Sequence, residues 1–440
     1  MLAAPVLLIA AAFWPGHMSN DTLAQIGEVQ TGRYTNQLSP VLAILWHPLY
    51  RLGFGPGWVL TAQVACFVAG TYLVARATLG RVAATAAAVA VPLLPMVFGM
   101  LGYLSRDTWF TVLLVLTFGL LTRAIQLRGR ARWALAVAAL VAGWLTLAAR
   151  QNAAPAVLPA CAVLAGLGLG ARGLLRSSWG PLRRAAAATA AGLVLTVALL
   201  GTQSALTSAA GVTDVNPEQY LYAYDLAALS VDERRNLFPA DVMPQRGLQV
   251  VQSHYNVDSN VPLFWTPDAP VRTPLSPPAF ASLRGAWRDA VAHHPAEYAG
   301  NRLELYLRQL TFGHPAVFVY HPQIDANSFG FRVRFARLNQ AARDYMAAFT
   351  NPANDGDVLF TVWAYLLAAL VLAALLLRRG IAAPARVAGL LALGGILYQS
   401  GLLLGPMGLQ YRFEFPAVAT TLVVAAAALG LLARRRAATP

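Results

Sequence analysis

Residues 14–48 read WPGHMSNDTLAQIGEVQTGRYTNQLSPVLAILWHP. This polar stretch follows a short apolar segment and precedes a long series of apolar runs. It carries Asp21 and Glu28, two of the three acidic residues in the first 200 positions. A carboxylate at the mouth of a membrane bundle is costly to place and marks chemistry or transport. The reading of the chain therefore starts from an acidic loop at the edge of a membrane module.

The composition supports that module. Of 440 residues, 57% are hydrophobic and 12% are charged, against about 25% charged in an ordinary soluble domain. The net charge of +14 first suggests nucleic acid, but the distribution of charge excludes it. All 33 basic residues are Arg. Sixteen of them (Arg76, Arg81, Arg123, Arg128, Arg130, Arg132, Arg172, Arg176, Arg183, Arg184, Arg378, Arg379, Arg386, Arg434, Arg435 and Arg436) lie in short gaps that hold no Asp or Glu. That is the positive-inside pattern, so the expected partners are membrane lipids and no nucleic acid. The all-Arg, Ala-rich usage suggests a GC-rich bacterial genome. Cys66 and Cys161 fall inside apolar runs and read as small core residues.

Apolar runs of spanning length fall near 57–76, 82–101, 108–126, 133–150, 153–171, 185–207, 358–377, 387–404 and 415–433. Residues 1–14 lack the basic start and small-residue cleavage site of a signal peptide. They read as a retained, short first helix, or as one whose start lies upstream. The expected fold class is an all-α polytopic membrane protein of about ten spans. Residues 1–207 form an N-terminal membrane module with its first outer loop at 15–56. Residues 208–357 form a mainly helical extracytoplasmic domain, and 358–440 the last spans. Within that outer domain, helices are expected at 217–229, 295–310 and 335–349, with loop over 256–280. Residues 39–54 are too short to span and read as an interfacial helix.

With the Arg-rich gaps placed in the cytoplasm, all 19 acidic residues fall on the outer side. The outer positions then carry the candidate chemistry. Asp21, in SNDT, is either part of a helix cap or a general base or metal ligand. Glu28 lies seven residues on, on the same face of the expected helix. Asp107, in SRDTWF, either caps a helix, pairs with Arg106, or shares a divalent ion or substrate with Asp21. Arg106, Arg150 and Arg412 are outer cations that can converge on a phosphate, which arginine grips as a fork. Arg150 can equally snorkel to headgroups, and Asn152 beside it adds neutral donors. His17 and His47 are lone histidines without zinc spacing. No Walker loop, nucleophile elbow or dinucleotide fingerprint is present.

Trp14-Pro15-Gly16, Ser19-Asn20-Asp21-Thr22, His47-Pro48, Arg106-Asp107 and Arg150-Gln151-Asn152 together resemble the GT-C membrane glycosyltransferases. That family includes the protein mannosyltransferases and the aminoarabinose transferases. The resemblance covers roughly residues 10–155. It implies a polyprenyl-phosphate-linked sugar donor and transfer on the outer face to a glycan, lipid or protein acceptor. It also implies catalytic roles for Asp21 and Asp107; on the residue reading, Glu28, His47, Arg106, Arg150, Asn152 and Arg412 are the candidate substrate contacts. Asp21 stands alone where many members carry an acidic pair, so a divalent cation (Mg or Mn) held by Asp21 and Asp107 stays open. The rival expectations are a transporter or flippase of lipid-linked sugars, and a glycan polymerase or ligase.

Overall fold

The computed structural model describes residues 1–175, 178–245, 247–350 and 356–437, with side chains as far as 432. Arg176 and the side chains of Arg434, Arg435 and Arg436 therefore lie outside the described residues, as do 246 and 351–355 of the outer segment. Among the described residues every regular element is helical. Extended segments meet only as isolated bridges.

Six helices are long and apolar enough to cross a membrane: Pro56–Ala75, Arg106–Gln126, Gly129–Ala149, Ala154–Ala171, Pro181–Ala209 and Phe415–Leu432. A seventh counts if the pair Arg81–Leu93 and Pro95–Leu101 is taken together. These long apolar helices fit a membrane-embedded protein. The expected run at 82–101 is bent by 73° at its break, where Pro92 and Pro95 each remove a backbone donor. Ala3–Phe13 has 11 residues and Val362–Leu376 has 15, short of the ~20 that a straight span needs. Ala383–Gly401 has 19 residues, but Arg386, Tyr398, Gln399 and Ser400 make it less apolar.

Arg106–Gln126 is the central helix, with Pro56–Ala75, Gly129–Ala149, Ala383–Gly401 and the last helix packed around it. Pro56–Ala75 approaches it through glycine. A Cβ on Gly70 would lie 2.7 Å from the Leu116 backbone nitrogen, and one on Gly119 would lie 2.8 Å from the Gly70 carbonyl. The two backbones touch at that crossing because neither residue carries a side chain. Pro181–Ala209, by contrast, is largely exposed along its length, as a peripheral membrane helix would be.

The bundle has two distinct ends. At one, Gln126 bonds the Arg76 carbonyl at 3.4 Å, and Thr78 bonds the Ala427 carbonyl. At the other, segments from 15–56, 102–107, 150–152, 208–350 and 405–414 gather. His17 donates its backbone N–H to the Gly102 carbonyl at 2.9 Å, and Leu104 N–H returns to the His17 carbonyl at 3.0 Å. Met18 pairs in turn with the 323–325 segment, through Gln323 and Asp325 at 3.2 and 2.9 Å. Thr213 N–H reaches the Tyr34 carbonyl at 2.9 Å. The first outer loop itself folds into two helices, Asn20–Thr31 and Pro40–Arg51, turned at Gly32 (φ 69°).

The segment 208–357 divides by core. Tyr220, Leu226, Leu229, Phe264, Leu283 and Leu305 form a cluster of their own that also takes Leu409. Ala316, Val319, Tyr320, Ala342 and Met346 instead join the main core. Helices run over Glu218–Asp232, Pro295–Gln309 and Ala336–Ala347, near their expected positions. Pro277–His293 is a further helix, capped by Ser276; its first turn overlaps the expected loop 256–280, which also holds the short helix Val261–Phe264.

The Gly70–Leu116 contact yields a test. Gly70→Val is expected to lower stability by about 1–3 kcal/mol through overpacking. Gly168→Val, where no atom lies within 4 Å of the new Cβ, should change little. Thermal unfolding of both detergent-solubilised variants checks the difference; equal melting temperatures would contradict the crossing.

Candidate functional site

The five segments at the crowded end bring five of the sequence-selected residues together. Asp21 sits in the first turn of Asn20–Thr31, and Asp107 in the first turn of Arg106–Gln126. Arg150 follows the helix Gly129–Ala149 and Arg412 precedes the last helix. Arg412 is the link. Its Nη1 donates to Asp21 Oδ2 at 2.9 Å and to the Tyr103 hydroxyl at 3.3 Å. Its Nε lies 3.7 Å from Asp107 Oδ2. Arg150 closes on the other oxygen of Asp107. Arg106 turns away from Asp107 and donates to the Gln37 carbonyl at 3.1 Å, yet remains close enough to act on Asp21.

The alternatives for these residues resolve locally. Ser105, not Asp107, caps the central helix, through Thr108 N–H at 3.1 Å. Asp21 does not cap its own helix. Asp325 does so from 305 positions away, accepting Asn20 N–H at 3.1 Å. Both carboxylates are thereby left for the arginines.

Burial is graded across the group. The Asp107 side chain is 0% exposed, and Arg150 and Arg412 are 13% and 16% exposed; Asp21 is 48% exposed at the lip. Aromatic faces carry the cations. Phe413 lies 5.3 Å from Arg150 and 5.2 Å from Arg412, and Tyr398 lies 5.9 Å from Arg150. Glu414 is buried beside them. Burial opposes the charge on Asp21, but the Arg412 and Arg106 guanidiniums outweigh it and hold its carboxyl below the ordinary value. Arg106 Nε, Arg412 Nε and Glu414 Oε1 find no hydrogen-bond partner among the described residues. The group is therefore a recess with a negative base, cationic walls and one open carboxylate.

The remaining sequence-selected residues lie around or apart from the recess. Asn152 accepts from Arg150 Nε at 3.2 Å and so holds it in place. Glu28 accepts from the Thr35 backbone and hydroxyl at 3.0 and 2.6 Å. Burial raises its carboxyl pKa, partly offset by those Thr35 bonds. His47 bonds the Val29 carbonyl at 2.6 Å and meets Tyr34 edge-on. These two fasten the first outer loop onto itself and do not join Asp21.

Tyr103, Tyr398 and Phe413 join the group with no charge to mark them in the sequence, and a network lies behind the lip. His17 is fully buried, with Nδ1 against the His321 carbonyl at 2.6 Å and Nε2 against Asn339 at 2.8 Å. Burial lowers its pKa to about 4, so the ring is neutral, donating to His321 and accepting from Asn339. His321 bonds Met18 and Asp325 and lies 5.2 Å from the Tyr103 ring. Tyr103 was within reach of the sequence, three residues before Arg106. His321 and Asn339 carry no local signal.

A divalent ion shared by Asp21 and Asp107 does not fit this arrangement. Arg412 stands between the two, paired with Oδ2 of each, in the place the ion would take. Among the described residues the group with three convergent metal-type ligands is Glu233, His294 and Glu297, in the outer segment. Compared with family models, with curated proteins and with solved structures, the chain matches none.

Asp107→Asn is expected to cost about 3–5 kcal/mol of stability, because it leaves a buried guanidinium uncompensated. A cycle with Arg150→Gln should show a coupling energy of about 0.5–3 kcal/mol. Denaturation of the three variants measures it, and additive effects would dissolve the pair.

Proposed function

We propose that this chain is a membrane glycosyltransferase of the GT-C type, facing the outer side of a bacterial inner membrane. It transfers a sugar from a polyprenyl-phosphate-linked donor to an extracytoplasmic acceptor, with Asp21 as general base. One observation carries the proposal: a half-exposed carboxylate at the lip of an arginine-walled recess, where outer segments meet at one end of an apolar bundle. Ala3–Phe13, Val362–Leu376, Ala383–Gly401 and the bent pair bring the membrane module to ten apolar crossings. Leu45, Leu49, Leu52 and Phe54, all exposed, set Pro40–Arg51 on the outer membrane surface.

An isoprenoid tail partitions into the bilayer at about 0.8 kcal/mol per buried CH2 and presents its phosphate at the interface. The guanidiniums of Arg106, Arg150 and Arg412 take that phosphate. The acceptor hydroxyl gives its proton to Asp21 while its oxygen bonds the anomeric carbon. The bond from that carbon to the phosphate oxygen breaks, and the phosphate leaves with the electron pair. The arginines stabilise it as its charge grows. Phosphate also competes with Asp21 for Arg412. Binding the donor loosens that pair and raises the basicity of Asp21 when a base is needed.

The bent pair at Pro92 and Pro95 favours transport as a second reading, because broken helices mark substrate paths in transporters. The charges gather at one end of the bundle, however, and not at mid-depth, which favours catalysis.

Asp21→Asn is expected to lower transfer from polyprenyl-phosphate sugars at least about 10²-fold while leaving the protein folded. Full activity in a monodisperse mutant would end the proposal. The pH profile gives an independent check. Asp21 is held below the ordinary carboxylate range, so the acid limb of kcat/KM should fall below about pH 3.9. Arg412→Gln should move that limb upward, toward higher pH, as well as weakening donor binding.

A further inference from the structure

We infer that Trp265, backed by Tyr220, is a stacking platform for a pyranose ring presented to Asp21. The inference rests on the transferase reading and names the part of the protein that would hold its sugar.

Trp265 is 51% exposed. It is not loose. Its ring stacks on Tyr220 at 5.3 Å with an interplanar angle of 27°. Phe264 meets Tyr220 edge-on at 5.1 Å from beneath, and Trp265 N–H closes a turn on the Val261 carbonyl at 2.8 Å. Tyr220 and Phe264 belong to the core of the outer segment. The open indole face is thus preorganised, with its partner buried behind it.

Two sets of contacts tie this platform to the recess. The helix carrying Tyr220 follows residues 213–216, which are laid on the first outer loop. Val215 N–H donates to Asn36 Oδ1 at 2.9 Å, and Asn36 Nδ2 donates to Asp214 at 2.7 Å. The next residue, Gln37, takes Arg106. The loop carrying Trp265 is tied to the other partner. Leu409 N–H donates to the Asp258 carbonyl at 2.8 Å, three residues before Arg412. The elements bearing the stack are therefore fastened to the segments that present Asp21 and Arg412. The Asp21 carboxylate also acts on the Tyr220 hydroxyl. Burial raises its pKa, a Thr273 hydrogen bond opposes that, and the Asp21 carboxylate raises it further.

The chemistry selects the ligand. The face of an indole is electron-rich, and one face of a pyranose presents a patch of polarised C–H bonds that suits it. A few polar groups beside an aromatic wall is the usual make-up of a small-molecule site. Asp21 and the arginines supply those groups.

Saturation-transfer NMR on the full chain in nanodiscs tests the inference, with methyl α-mannoside, methyl α-glucoside and methyl α-galactoside as probes. At least one glycoside is expected to receive saturation on the ring protons of one face. Trp265→Ala should weaken that binding at least about tenfold, and Trp265→Phe should retain most of it. No binding of any glycoside to the parent protein, or equal binding to Trp265→Ala, overturns the inference. Equal binding would be the result if Trp265 only meets lipid. The two proposals fail separately. An active Asp21→Asn protein with intact glycoside binding removes the general base and leaves the platform. An inactive Asp21→Asn protein with Trp265-independent binding removes the platform alone.

Discussion

Arg412 holds the crowded end of the bundle together. A guanidinium and two carboxylates that meet at the edge of an apolar bundle lose much of their hydration, and each is tolerable only while the others are in place. Arg412 compensates Asp21 with one nitrogen and approaches Asp107 with another. Arg150 supplies the second charge that Asp107 needs. Take Arg412 away, and the first outer loop and the central helix lose their common counter-charge. The segment 258–265 matters to the recess for the same reason. It grips residues 408 and 409 and so sets where Arg412 stands.

The members of the recess were legible because charge is rare in this sequence. With 12% charged residues, an acid or an arginine at the end of an apolar run stands out, and Asp21, Asp107, Arg106, Arg150 and Arg412 were selected on that ground alone. Their pairing was not legible. Asp107 adjoins Arg106 in sequence but bonds Arg150, because consecutive helical residues point about 100° apart. Glu28 shares a helix face with Asp21, yet seven residues of rise put it about 10 Å along the axis. There the chain has turned back at Gly32, and Thr35 claims the carboxylate. The cap on Asn20 and the seat of His17 come from residues 325 and 339, which no local pattern connects to the start of the chain.

The helices show the same division. Leucine, alanine and valine runs reveal which segments are apolar, and a proline marks where a run breaks. They do not reveal whether a broken run crosses. The stretch 82–101 has the length of a span, but Pro92 and Pro95 divide it into two helices 73° apart. The second of them is fully buried. Segment 208–357 likewise read as one polar domain. Its second part instead threads back through Tyr320, Ala342 and Met346 into the main core, and supplies the His321 and Asp325 contacts behind Tyr103.

That threading has a consequence for the chemistry. A recess assembled from five separate segments can be rigid only if each is held by contacts outside the recess. His17 is held by His321 and Asn339, Arg106 by Gln37, Arg150 by Asn152, and the approach to Arg412 by Asp258. The arginines are thus fixed by contacts outside the recess, and Arg106 Nε has no hydrogen-bond partner among the described residues. An unmet buried donor costs about 1–3 kcal/mol, and an oxyanion is the kind of group that would meet it. On the transferase reading, this donor favours the phosphate more as it gains charge on leaving, since fixed donors need no reorganisation at that moment. Asp21 is the one member left with half its surface open, and it is therefore the member through which an acceptor hydroxyl can enter.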